Sequence, residues 1–154
     1  MGTDFVYTGA MSTPWQHRIF FVLGSLWALP MTALGLILGA GALLLGARIS
    51  VSDGALVFSR FRFFSSGALT LGQVILHTGQ SLDEPTLTYH CAAFGGDDCV
   101  RIGSHERAHV YQTMAFGVLF LPLYFLHGGI SHKNRFEQAA DRYARTGSGW
   151  WPYG

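Results

Sequence analysis

No charged side chain occurs between residues 19 and 47, in the run IFFVLGSLWALPMTALGLILGAGALLLGA. About twenty apolar residues cross the hydrocarbon core of a bilayer, so this run is long enough for one crossing and too short for two. Pro30 lies near its middle, where loss of a backbone donor predicts a kink, or a break between two half-length helices. Gly35 and Gly39 form a small-xxx-small pair, with Gly41 and Gly46 beyond them. Such a low-bulk face lets another helix approach closely. A cleaved secretory leader has an apolar core only about half this long. The run is therefore expected to be a transmembrane anchor, a single kinked span. Arg18 precedes it, and Arg48, Arg60 and Arg62 follow it. The positive-inside tendency then puts the C-terminal part on the cytoplasmic side.

What remains is enough for one small domain. Charged residues make up 12% of the chain, against about a quarter in ordinary soluble domains. Part of the surface is thus expected to face something other than water, and membrane lipid is the expected partner. Ten basic and nine acidic residues are scattered along the chain for a net charge of +1. With no basic stripe, a nucleic-acid partner is excluded. The expected division is an N-terminal segment 1–18, the anchor 19–47, a folded domain 54–145 and an aromatic tail 146–154.

Within the domain, residues 55–64 and 69–76 read as a hairpin turning at Ser65-Ser66-Gly67, and residues 86–90 as one more short strand. Asp97 or Asp98 is placed to cap a helix running from about residue 99 past Gln112. Its continuation, residues 114–126, is apolar all round but short for a span, which suits a buried or interfacial helix bent at Pro122. Residues 134–145 read as a last helix. The fold class is therefore α+β: an N-terminal transmembrane helix, then a small domain with a hairpin or short sheet.

The helix after residue 99 carries His105-Glu106-Arg107-Ala108-His109, an HExxH run. Residues four apart share a helix face, so His105 and His109 can point two imidazoles at one zinc ion. Glu106, about 100° further round, falls beside the metal, where it can take a proton from a water that the ion polarises. A third ligand is needed, and Glu137 in the run Glu137-Gln138-Ala139-Ala140-Asp141 is the best candidate. Asp141, one turn later, can orient a zinc-bound histidine.

HERAH followed by EQAAD resembles the HExxH…ExxAD pattern of gluzincins, notably the membrane-bound zinc metallopeptidases that include prenyl-protein and heat-shock membrane proteases. The segments TLGQVIL, HERAHVYQ, FGVLFLPLYFL and FEQAADRYA are similar to those of small bacterial membrane-associated zincin-like proteins, a likeness over residues 70–145. The resemblance implies a zincin-like domain at a bacterial cytoplasmic membrane, with zinc on His105, His109 and Glu137 and Glu106 as general base. The stretch between His109 and Glu137 holds no full transmembrane hairpin, unlike the larger proteases, and the chain is too small to build their substrate chamber.

His90 is the candidate hydrogen-bond donor to a transition state, with Tyr111 and Tyr143 as alternatives. Cys91 and Cys99 are spaced for a loop-closing disulfide or for two free thiols. The tail Trp150-Trp151-Pro152-Tyr153 suits a membrane interface or a partner groove. Two functions follow. One is a membrane-anchored zinc endopeptidase whose strand at residues 86–90 pairs with an extended substrate. The other is an accessory subunit that keeps the scaffold and binds a larger membrane protein complex through the Gly35/Gly39 face and the Trp150/Trp151 tail.

Overall fold

Residues 14–154 are described by the computed structural model, and they form a mixed α+β structure. Most of the expected N-terminal segment, residues 1–13, lies outside the described residues. The uncharged run forms two helices, α1 (Pro14–Trp27) and α2 (Leu29–Leu44), bent by 67° about Ala28. Pro30 sits in the first turn of α2, where a missing N–H leaves no bond unmade, so the break falls ahead of it. At about 1.5 Å per residue each helix falls short of a hydrocarbon core about 30 Å thick. The break expected near Pro30 is thus a 67° corner between two half-length helices.

Gly35 and Gly39 are buried, but against this chain's own sheet. A Cβ on Gly35 would lie 2.7 Å from Val74 Cβ, and one on Gly39 would fall on the Phe58 ring. The face expected to receive another helix is therefore filled from within. The close approach lets Met31 and Ala42 of α2 join Phe58, Leu71, Val74 and Leu76 in one apolar cluster.

β1 (Arg48–Ser52) and β2 (Ala55–Ser59) form a hairpin closed by Asp53 and Gly54, at φ 54° and 74°, a two-residue turn of the I′ kind. β3 (Ala68–Leu71) and β4 (Val74–His77) form a second, and β4 lies parallel to β2, giving the order β1-β2-β4-β3. The expected hairpin of residues 55–64 and 69–76 is corrected on both counts. Arg60, at φ 61°, turns the chain out of β2, and β4 returns alongside β2 in the same direction. β4 is buried on both faces: Val74 and Leu76 meet the α2 cluster, while Ile75 joins Ile102, Val110 and Met114 of α4 (Ile102–Phe116) on the other side. The sheet is thus a layer between α2 and the helix that carries the HExxH run.

β5 (Pro85–Leu87) and β6 (Cys99–Arg101) pair antiparallel around α3 (Tyr89–Phe94). The strand expected at residues 86–90 ends at Leu87 because Thr88 caps α3, its Oγ1 accepting from the Cys91 N–H at 3.4 Å. Pairing of residues 99–101 likewise delays the next helix to Ile102. Neither Asp97 nor Asp98 caps it; Asp98 accepts from Arg145 instead. Arg101 precedes the helix, bonded to Asp53 at 2.5 and 2.9 Å and to Asp83 at 2.8 Å. Cys91 and Cys99 are free thiols.

After a 3₁₀ turn at Gly117–Leu119 the chain continues as α5 (Phe120–Leu126), with Pro122 in its first turn, and then as α6 (Arg135–Thr146). Asn134 caps α6 by accepting from the Phe136 N–H at 3.0 Å. The helical stretch Ile102–Leu126 is long and apolar enough to cross a membrane, but its first turns are buried against the sheet and α6. The aromatic tail folds back onto the domain. Trp151 stacks on Phe116 at 5.0 Å, and Trp150 lies 5.8 Å from both Phe20 and Tyr111.

Candidate metal centre

α4 presents His105 and His109 one turn apart, and α6, packed across it, brings Glu137 up to both. His105 Nε2 lies 3.0 Å from Glu137 Oε2, His109 Nε2 lies 3.3 Å from the same oxygen, and the two Nε2 atoms are 3.2 Å apart. Metal–ligand bonds of about 2.0–2.2 Å at the tetrahedral angle separate ligand atoms by about 3.3–3.6 Å. The three atoms are thus spaced close to one face of such a tetrahedron.

The hydrogen bonds behind the imidazoles say what these atoms offer. Asp141 Oδ1 can only accept, so His105 Nδ1, 3.0 Å away, carries its proton. Asp141 Oδ2 accepts from the Tyr89 backbone N–H at 2.9 Å, which fixes the carboxylate. Gln112 does the same for His109. Its amide nitrogen donates to the carbonyls of Phe136 at 3.1 Å and Trp150 at 2.9 Å, leaving Oε1 to accept from His109 Nδ1 at 2.8 Å. Both rings therefore turn a bare Nε2 inward beside a carboxylate oxygen. Three acceptors converging in a buried site require a cation among them.

Without a metal, that cation is a proton. Burial drives His105 down, but hydrogen bonds to Asp141 and Glu137 outweigh it and hold the imidazole up at about 10. Burial opposes ionisation of Glu137 too, yet His109 and His105 hold its carboxyl well below the usual range. His109 is raised as well, burial being outweighed by Glu137. The chain thus brings together a buried cluster able to hold a metal ion.

Glu106 is buried beside the cluster, and the Thr70 hydroxyl, on edge strand β3, donates to its Oε2 at 2.6 Å. A cavity of about 110 Å³ abuts Glu106, His109 and Glu137, walled by Phe120, Tyr124 and Ile130 among others. A wider groove of about 480 Å³ reaches His105 and Glu106 from the other side, between β3 and β5. Tyr124, on α5, donates its hydroxyl to Glu137 Oε1.

Glu106, His105, His109, Glu137 and Asp141 are all brought together as expected from their spacing. His90 is not. It is exposed on α3 with its ring 5.0 Å from Phe94, and it lines neither cavity, because α3 begins where a strand was expected. Tyr111 and Tyr143 face each other at 5.7 Å away from the cluster. Thr70, Gln112 and Tyr124 were not foreseen. Gln112, three residues after His109 on the same helix face, had a legible signal; the other two come from the edge strand and the apolar α5.

No family model, curated protein sequence or solved structure matches this chain.

Proposed function

We propose that the chain is a zinc-dependent peptide hydrolase of the gluzincin kind, seated at a bacterial cytoplasmic membrane. The observation that carries the reading is the convergence of two bare Nε2 atoms and a carboxylate oxygen beside a buried glutamate that a threonine holds in place. Two histidines and one carboxylate are a zinc ligand set that leaves a coordination position open. Zinc, when bound, supplies Lewis acidity that polarises a carbonyl and acidifies a water.

The chain's own groups divide the rest of the work. Glu106, pinned through one oxygen by Thr70, accepts a proton through the other and returns it to the leaving amine. Tyr124 ties up Glu137 Oε1, so that Oε2 alone faces the histidines. The groove lies between β3, the edge of its sheet, and β5, whose second edge is unpaired among the described residues. An extended peptide fits such edges by strand addition. Membrane seating is supported by Val22, Leu23 and Leu26 of α1 and Leu34, Ile37 and Leu44 of α2, all exposed. Residues 19–47 then serve as a bent apolar anchor.

The small cavity, walled by apolar side chains, favours a second reading in which the site is closed to large substrates and the protein serves as an accessory subunit. Glu106→Gln separates the two. On the hydrolase reading, the zinc-loaded wild type cleaves a quenched-fluorescence peptide library in detergent, chelation stops it, and Glu106→Gln keeps its zinc while losing activity by about a thousand-fold or more. No cleavage by the zinc-loaded protein, or equal cleavage by the variant, overturns it.

A further inference from the structure

Arg18 is the last charged residue before the apolar run, and on α1 it follows Trp15, which is 59% exposed. Tryptophan and arginine at the edge of an apolar helix mark the depth of lipid headgroups. Arg107 stands within the HExxH run, but two residues from either histidine it lies on the opposite side of α4 from the metal cluster. There its Nε donates to the Tyr111 hydroxyl at 2.9 Å, and its guanidinium lies 5.6 Å over the Tyr111 ring.

These two arginines line one crevice between α1 and α4, of about 450 Å³, with Phe20, Phe21, Val22 and Tyr111. Among the described residues neither is in an ion pair, whereas Arg101 and Arg145 each meet an aspartate. Arg107 is half-buried, and the Asp53 carboxylate, itself paired with Arg101, acts on its charge from beyond ion-pair distance. The crevice therefore offers two guanidinium groups over an aromatic floor, and Phe21 and Val22 carry that floor onto the exposed apolar face of α1. Planar guanidinium donors match phosphate oxygens, and an apolar margin matches the chains behind them.

We propose that this crevice binds the phosphate of an anionic phospholipid headgroup, held between Arg18 and Arg107. The site rests on the membrane reading above but is independent of the peptide chemistry. Bound there, the lipid fixes how the α1–α4 pair sits at the surface, and with it the depth of the metal centre.

The test is co-sedimentation of the full chain with vesicles of phosphatidylcholine alone, or with about 30 mol% phosphatidylglycerol. About 0.5 M salt screens diffuse attraction, leaving paired contacts. The wild type is expected to prefer the anionic vesicles. Arg18→Gln and Arg107→Gln should each lower that preference about five-fold, and together about thirty-fold. Arg48→Gln, which removes the same charge at the other end of the apolar run, should leave it intact. Zinc content of each variant checks that the fold is kept, and Arg107→Lys should retain part of the preference. Binding equal on both vesicles, or an Arg48→Gln loss as large as the others, overturns the headgroup site while leaving membrane seating intact. Displacement by millimolar inorganic phosphate at constant ionic strength overturns the lipid assignment in favour of a free-phosphate site. No binding to either vesicle overturns the membrane reading itself.

Discussion

At the scale of single residues, the direction of two protons defines the metal centre. His105 and His109 face inward with bare Nε2 atoms only because Asp141 and Gln112 accept from the far side of each ring. Gln112 is the more vulnerable, since it is fully buried and also satisfies two carbonyls. Gln112→Met should weaken zinc binding by about 10–100-fold, read by competition with a chromophoric chelator. Unchanged affinity would mean that His109 needs no such orientation. Asp53 supplies a pH dependence away from the metal. Hydrogen bonds from Arg101 outweigh burial and hold its carboxyl below the usual range. A lowered folded value contributes stability above the unfolded carboxylate range and loses it as the pH falls through the folded value. Asp53→Asn, which keeps a residue tolerant of positive φ, should cost about 1 kcal/mol near neutrality. In thermal melts of chelated protein the gap to wild type should close below about pH 4; a gap constant with pH would assign the loss to the turn instead.

At the scale of elements, the apolar run shows how far its sequence could be read. Its length, its lack of charge and the break near Pro30 were legible, because they are local properties of the chain. What covers Gly35 and Gly39 was not, because a small-residue face admits a sheet as readily as a helix. Gly39→Leu should collide with Phe58 and destabilise the fold by about 2 kcal/mol or more, measured by denaturant unfolding in detergent. If that face instead awaited an outside helix, the isolated protein would tolerate the change. The sheet was legible only in pieces. Asp53-Gly54 is a strong hairpin signal, yet β1 follows directly on the apolar run and carries little pattern of its own. The parallel pairing of β2 with β4 is a contact between segments distant in sequence, which periodicity does not encode. In contrast, both halves of the metal cluster were legible, since ligand chemistry and helical spacing select His105, His109 and Glu137 without reference to the sheet. Thr70 and Tyr124 join them through tertiary packing alone.

At the scale of the molecule, the tail, the metal centre and the apolar helices form one connected structure. The Trp150 carbonyl receives the Gln112 amide that orients His109, while the Trp150 ring rests near Phe20 of α1. A shift of α1 is therefore three contacts from His109 of the metal cluster. That the cluster holds one ion is tested most directly by zinc-edge X-ray absorption on the zinc-loaded protein, with its stoichiometry. The account predicts one zinc per chain in a shell of imidazole nitrogen and oxygen without sulfur, lost on His105→Ala or Glu137→Ala. A chain that takes up no zinc, or a shell containing thiolate from Cys91 or Cys99, would contradict it.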